Sequence, residues 1–346
     1  MSTEPGPPPH AQLFDLIWPA GLVAQAVRTA AELGLADRLV EGPKTVAALA
    51  EATDADPTSL RRLLTALVAV GVFREDEQGL HQTPVSETLL TDRPDSTAPW
   101  ARFLGAPFLW DSWGALADGV RNGRTAFEQV HGRSFYEHVA ENPGDATLYD
   151  QAMNAGSHES ATAVLATHDF SRYGHVVDVG GGRGALLSAI LTEHAGMKGT
   201  LVDFPSVVAE ASEALRSGEL ASRCTIVGAD AREGVPSGGD AYLLKSVVHS
   251  LDDDQASIVL RHCRDALSPD GRVLLVELVR SDDGPPGRQA ALMDLLMMTL
   301  VPGRERTRKE FERLLASSGL ELVAVHETQA HGNAVIEAKP ARSSGS

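Results

Sequence analysis

Residues 176 to 187 read Val176-Val177-Asp178-Val179-Gly180-Gly181-Gly182-Arg183-Gly184-Ala185-Leu186-Leu187. A β-branched run enters a glycine cluster and an apolar helical pattern leaves it. That is the order of a buried strand, a tight turn and a helix N-terminus, the ligand corner of a doubly wound α/β sheet. Glycines at 180, 182 and 184 give G-x-G-x-G, not the G-x-G-x-x-G of dinucleotide binders. No Lys-Ser/Thr pair follows, as a phosphate-cradling loop requires. Asp178, two positions before the first glycine, supplies a carboxylate that suits an ammonium-bearing ligand better than a pyrophosphate.

The spacing resembles the first motif of class I methyltransferases, which use S-adenosylmethionine. Further residues fall where a nucleoside sulfonium needs them. Asp203 ends the next strand, where a carboxylate can accept both ribose hydroxyls. Asp230, in Val227-Gly228-Ala229-Asp230-Ala231, is placed to reach the adenine amino group, and Lys245 ends a later strand where a cation can meet the methionine carboxylate. Any one of these acids taken alone reads equally well as a solvated loop residue or a helix cap.

Those side chains require a scaffold. Strands are expected at 175–179, 199–203, 224–228, 241–245, 273–277, 320–326 and 334–338, and helices at 186–194, 206–216, 253–266 and 308–317. The last two strands form a terminal hairpin. The expected fold is α/β, a Rossmann-like, doubly wound, seven-stranded sheet over 171–340, parallel except for one antiparallel strand at its edge.

Upstream, residues 1–10 read as a disordered lead-in and 13–39 as helix, with Pro19 at a start or kink. Thr45 can cap a helix over 46–51, and Asp56-Pro57 can open another over 59–70 that ends at Gly71. Short strands at 72–74 and 80–83 complete a winged-helix pattern across 11–98. A transcriptional regulator is therefore a second reading, because the second helix carries Arg61 and Arg62; against it, the wing carries Glu75, Asp76 and Glu77. Residues 99–170 read as a helical linker rich in aromatic rings. Most of those rings should be core, and a minority, Trp100 and Phe103 among them, should line a cleft for a flat apolar substrate. Residues 341–346 read as a flexible tail.

Composition sets limits. A net charge of −17 argues against nucleic acid as a partner. No apolar run reaches transmembrane length, and no basic-then-apolar signal region is seen. Cys224 and Cys263 read as buried small apolar residues and suggest no disulfide framework. The expected compartment is cytoplasmic, with no membrane association.

Across nearly its whole length the chain resembles the two-domain small-molecule O-methyltransferases of bacterial antibiotic tailoring and plant caffeate methylation. The likeness rests on Val177-Asp178-Val179-Gly180-Gly181-Gly182, Leu201-Val202-Asp203-Phe204-Pro205, Leu244-Lys245-Ser246-Val247-Val248-His249 and Gly303-Arg304-Glu305-Arg306-Thr307, together with the winged-helix segment. It implies a homodimer formed through the N-terminal domain. It implies an S-adenosylmethionine site made by Asp178, Gly180, Gly181, Gly182, Asp203, Asp230, Ala231, Lys245, Met153 and Ser157, with S-adenosylhomocysteine as product. It implies His249 as general base, flanked by Glu277 and Glu305. Asp294, Met297 and Val301 match acceptor-facing positions, and an aromatic small molecule such as a polyketide-derived antibiotic intermediate is the implied acceptor. Bland readings of the same residues are a helix-cap histidine, ordinary salt bridges and plain core.

The family reads His-Asp-Trp where this chain has His249-Ser250-Leu251. Some relatives keep the cofactor yet hydroxylate, decarboxylate or catalyse pericyclic steps, often without the histidine, so its presence favours methylation. No metal-ligand spacing surrounds His249, and metal-free catalysis is expected.

Overall fold

Thr45 and Asp56 act as the caps their types favour: Thr45 accepts from the Ala48 amide at the head of α2 (Val46–Thr53), following α1 (Pro9–Glu32). Asp56 accepts from Ser59 N–H at the head of α3 (Pro57–Ala69). The computed structural model describes residues 8–283, 287–329 and 332–342. The lead-in expected over 1–10 falls outside these up to residue 7, and Pro9 already begins a helix, where its missing N–H costs nothing. Helix α1 runs unbroken through Pro19, neither starting nor ending there. Most of the expected tail, 343–346, also lies outside the described residues.

Leu60, Leu64 and Leu67 form the buried stripe of α3. The wing strands are β1 (Arg74–Asp76) and β2 (Gly79–His81), antiparallel. The first expected strand is displaced because Val72 and Phe73 are drawn into the core at 6% and 1% exposure. After α4 (Pro84–Glu87) come the helices α5 (Ala98–Leu104), α6 (Pro107–Gly114), α7 (Leu116–Asn122), α8 (Ala126–His131), α9 (Phe135–Glu141), α10 (Pro143–Asn154) and α11 (Ser157–Thr167). The chain divides into two compact units: one takes residues up to 111 with 139–156, the other 112–138 and everything from 157. The aromatic helical stretch is thus shared between them.

In the second unit, β3 (His175–Val179), β4 (Lys198–Asp203), β5 (Cys224–Gly228), β6 (Gly239–Lys245) and β7 (Leu267–Arg280) pair in parallel. Helices between them are α12 (Ala185–Glu193), α13 (Pro205–Val208), α14 (Glu213–Arg216) and α15 (Asp253–Ala266); α16 (Arg288–Leu300), β8 (Arg306–Thr307), α17 (Arg308–Ser317), β9 (Leu320–Glu327) and β10 (Asn333–Pro340) complete the chain. The strand order is β5-β4-β3-β6-β7-β10-β9. Two features depart from expectation. The antiparallel strand β10 lies inside the sheet, between β7 and β9, because its residues from Ala334 to Ala338 are buried on both faces. And β8 adds a short eighth strand, pairing Val279 with Arg306 and Arg280 with Thr307 at the far end of β7.

The helix expected at 206–216 is two separate turns, because Ser212 N–H is tied to the Arg183 carbonyl instead of to its own segment. Apolar residues alternate across the sheet: Val176, Leu201 and Leu243 meet α12, while Val177, Tyr242 and Leu244 meet α15 and α17. Strand order reverses between β3 and β6, so the crevice at their C-terminal ends is the natural ligand site of such a sheet.

Candidate active site

Gly180, Gly182 and Gly184 all have positive φ, at 68°, 60° and 81°. A Cβ on Gly181 would meet the Asp178 carboxylate and Leu201 at 2.6 Å; one on Gly182 would meet nothing. The turn is therefore packed hard from beneath and open above. Asp178 forms its floor, 1% exposed, with no well-formed hydrogen bond to either oxygen. Burial raises its pKa to about 7; Lys245 and a slight pull from the Leu187 amide oppose this, and Asp203 adds to it. The carboxyl sits beneath the glycines and not on the surface.

Asp203 reaches the corner from β4. Its Oδ2 accepts from Gly182 N–H at 2.8 Å and its Oδ1 from Phe204 N–H at 2.7 Å, fixing the carboxylate beside the open glycine. Lys245 ends β6, with burial pulling its pKa down and Asp178 and Glu277 holding it up. Asp230 is engaged differently from expectation. It chelates Arg232 at 2.6 to 3.0 Å and is held below its usual value by that bond, so Arg232 must yield if an amino group is to be read. The Ala231 carbonyl accepts from His262 Nδ1 at 3.0 Å.

His249 lies on a one-turn 3-10 helix, Val248–Ser250, just past β6. Its Nδ1 is 2.8 Å from Glu305 Oε1 and 3.8 Å from Glu277 Oε2. A carboxylate on Nδ1 selects the tautomer with its lone pair on Nε2, which has no protein partner among the described residues. Burial alone would lower the histidine pKa; the Glu277 charge and the Glu305 hydrogen bond outweigh it, and the net direction is up. Glu277 is itself pushed up, by burial first, against the pull of His249. Its Oε1 accepts from Val247 and Val248 N–H at 3.1 and 2.8 Å, holding the backbone of the turn. The remaining Oε2 atoms of Glu277 and Glu305 are buried without hydrogen-bond partners.

These three side chains are far apart in sequence, which is why local spacing shows no cation motif; in space their candidate ligand atoms lie within 4.8 Å of one another. The 2.8 Å separation of Nδ1 and Oε1 is that of a direct hydrogen bond.

Residues that sequence reasoning missed hold this turn. Arg306, fully buried, donates to the Val248 and Leu251 carbonyls and to Asp253. A Cβ on Gly303 would lie 2.0 Å from the His249 carbonyl oxygen, so only glycine lets the two segments meet. Both were within the quoted 303–307 motif, but only Glu305 carried an obvious chemical signal. Ser250, where the family has Asp, donates from Oγ to the Val247 carbonyl at 2.8 Å and stabilises the same turn.

A family profile describing the O-methyltransferase domain matches residues 113–321, and one describing the O-methyltransferase dimerisation domain matches 20–92. The chain belongs to the O-methyltransferase family. It is an S-adenosylmethionine-dependent methyltransferase. Mitomycin biosynthesis 6-O-methyltransferase of Streptomyces lavendulae is 42% identical over 301 residues, covering 86% of this chain and 85% of that one. The solved structure of the mitomycin 7-O-methyltransferase MmcR superposes with a TM-score of 0.90 at 39% identity, covering 96% and 98%. The neocarzinostatin enzyme NcsB1, solved with S-adenosylmethionine and a hydroxy-methyl naphthoic acid, gives 0.80 at 33%, covering 92% and 96%. Similarity also extends to aclacinomycin 10-hydroxylase RdmB of Streptomyces purpurascens, 35% identical over 335 residues, 93% of this chain and 89% of that one.

Not every expected acceptor residue faces a cleft. Asp294 is committed within the methyltransferase fold, accepting from Glu305 N–H at 2.9 Å through Oδ1 and pairing with Arg280 at 2.9 Å through Oδ2. Met297 and Val301, at the end of α16, are buried. Phe103 is core of the first unit, 2% exposed against Trp100, Phe108 and Tyr149. Trp100 is partly exposed there, and Met153 is 37% exposed on α10. Ser157 opens α11 in the second unit.

Proposed function

We propose that this methyltransferase methylates a phenolic hydroxyl of an aromatic secondary metabolite, with His249 as base. The observation that carries the reading is His249 Nδ1 bound to Glu305 beside Glu277, with Nε2 left for substrate, four residues past Lys245 at the switch point. The cofactor supplies a methyl group already activated by its sulfonium. Glycines 180 to 182 give its amino-acid end room, with Asp178 as an opposing charge behind them. Asp203 takes the ribose hydroxyls, Asp230 and Ala231 the adenine, and Lys245 and Ser157 the methionine end. The orphaned carboxylate of Asp178 and the open space above Gly182 fit such a ligand.

A phenol titrates near ~10 and an imidazole near ~6.5, so proton removal by Nε2 must accompany attack by the oxygen. Glu305 fixes the ring, and both carboxylates stabilise the imidazolium that forms. Holding the acceptor oxygen ~3 to 3.5 Å from the reacting carbon supplies the rest. Met297 and Val301 are assigned to the acceptor wall, where soft apolar side chains suit a flat ring.

The molecule acts as a homodimer in the cytoplasm, a reading supported by the dimerisation-domain match and the two free cysteines. The hydroxylase likeness makes a non-methylating reaction the second reading. Incubation with methyl-labelled S-adenosylmethionine and hydroxylated naphthoates, phenazines and quinones decides between them. Transfer of label that survives a chelator and falls about 10²-fold or more in His249→Ala is expected. Oxygen incorporation without label transfer would sink the reading.

A further inference from the structure

The turn that carries His249 has no covalent or helical reason to stay in place. It is a single 3-10 turn between the end of β6 and the cap of α15, and it follows Ser246, a non-glycine residue at φ 54°. Its backbone is nonetheless held from two sides. Glu277 Oε1 takes the N–H groups of Val247 and Val248. The opposite edge, the carbonyls of Val248 and Leu251, is taken by Arg306 at 2.7 and 2.9 Å. The same guanidinium bonds Asp253 Oδ1 at 3.0 and 2.8 Å, tying the turn to the first residue of α15.

Arg306 is adjacent to Glu305, and its own backbone is registered against Val279, two residues beyond Glu277. One strand end thus delivers both the acid that grips the imidazole and the cation that grips its backbone. A fully buried guanidinium is costly unless its donors are used, and here they are shared among the Val248 and Leu251 carbonyls, Asp253 and the Arg304 carbonyl.

We propose that Arg306 is a positioning residue for methyl transfer: by clamping the carbonyls on either side of His249 it holds Nδ1 against Glu305 and so aims Nε2 at the acceptor. This rests on His249 being the base, and it assigns the aim of that base to a residue that touches neither substrate nor cofactor. A lysine keeps the charge but cannot span two carbonyls and a carboxylate with a planar fork.

The test uses the full chain, histidine-labelled with nitrogen-15 and saturated with S-adenosylhomocysteine, with the His249 Nδ1–H resonance identified by its absence in His249→Gln. In the unaltered protein that proton is expected downfield and slow to exchange with water. Arg306→Lys should bind S-adenosylhomocysteine within about threefold of the unaltered protein, yet exchange the Nδ1–H at least about tenfold faster. Normal binding with unchanged exchange overturns the proposal. If Arg306→Lys fails to fold, Asp253→Asn, which loosens the same fork from its exposed side, is read instead; unchanged exchange there overturns the proposal equally. No binding by the unaltered protein would count against the cofactor reading and not against the clamp. Slow exchange with no loss of turnover in His249→Ala would count against the base.

Discussion

The Nδ1 of His249 lies 2.8 Å from Oε1 of Glu305, across 56 residues of sequence. That bond fixes the tautomer and, after the Glu277 charge, helps to turn the histidine pKa upward, and it has a kinetic signature.

Because the net shift of His249 is upward from 6.5, the free base is lost as pH falls through a value above 6.5. Turnover with a phenolic acceptor should therefore show an acid limb above that pH. Glu305→Gln removes one of the upward pushes, so the limb should move toward lower pH while the plateau drops by about tenfold or more. A limb that stays put in the variant would remove Glu305 from the proton relay.

Asp178 gives a different pH dependence. Its carboxyl, raised from 3.8 to about 7 by burial, holds a proton in the ligand-free protein at and below neutrality. A raised carboxyl makes the ligand-free fold lose stability as pH climbs from about 4 to about 7. An incoming ammonium favours the ionised form, so S-adenosylhomocysteine should bind more tightly as pH rises through 7 and should release a proton on binding. Calorimetry in buffers of different ionisation heat measures that release, and Asp178→Asn should abolish it.

Asp203 anchors two backbone amides, each a charge-assisted bond worth ~1.5–3 kcal/mol. Asp203→Ala should raise the dissociation constant for S-adenosylhomocysteine by about tenfold to a hundredfold. Unchanged affinity would rule out both the ribose role and the anchoring role.

The site was unequally legible in the chain. Asp178, the glycines, Asp203 and Lys245 could be singled out because each lies at or next to the end of a strand, and strand ends follow from the period of apolar residues. The Glu277 and Glu305 roles came from family likeness, since nothing local distinguishes a buried carboxylate from a salt bridge. Asp294 and Phe103 were hard to assign because a polar residue on an apolar helix and a ring in an aromatic-rich helical segment look the same whether they face a ligand or the interior. Arg306 was invisible for the opposite reason: an arginine in a charged Gly-Arg-Glu-Arg run reads as surface, and only tertiary structure buries it. The inward place of β10 was likewise hidden, because two consecutive apolar strands do not say which of them is the edge.

Gly303→Ala tests how close the two segments run. The added methyl would lie against the His249 carbonyl, and backbone cannot yield as a flexible side chain does. Overpacking of this kind costs ~1–3 kcal/mol, seen as a fall of several degrees in the thermal midpoint. A variant that melts normally would mean that the turn moves freely.

Helix α1 displays Leu13, Phe14, Leu16, Ile17, Trp18 and Leu22 to solvent in the single chain, with Phe14 and Trp18 stacked at 6.1 Å. An exposed apolar run of this size is expected to be covered by a second copy. Sedimentation should show two copies for the unaltered protein and one for Ile17→Glu combined with Trp18→Glu. In the same unit, Arg61 of α3 pairs with Glu75 of the wing at 2.6 Å.

The two-residue ladder between β7 and β8 has an evolutionary corollary. It closes the 281–305 excursion at its neck, like the clasp of a handbag, and α16 hangs within that loop. Asp294 reaches back to the clasp, and Asp282 accepts from the Lys309 N–H just past it. The exposed positions of the handle, Leu292 among them, can therefore be exchanged while both glutamates keep their registration. A scaffold built this way can diversify its repertoire of acceptors without retuning its proton chemistry. Grafting another relative's helix between residues 288 and 300, with an aspartate retained at 294, is a rational route to new products.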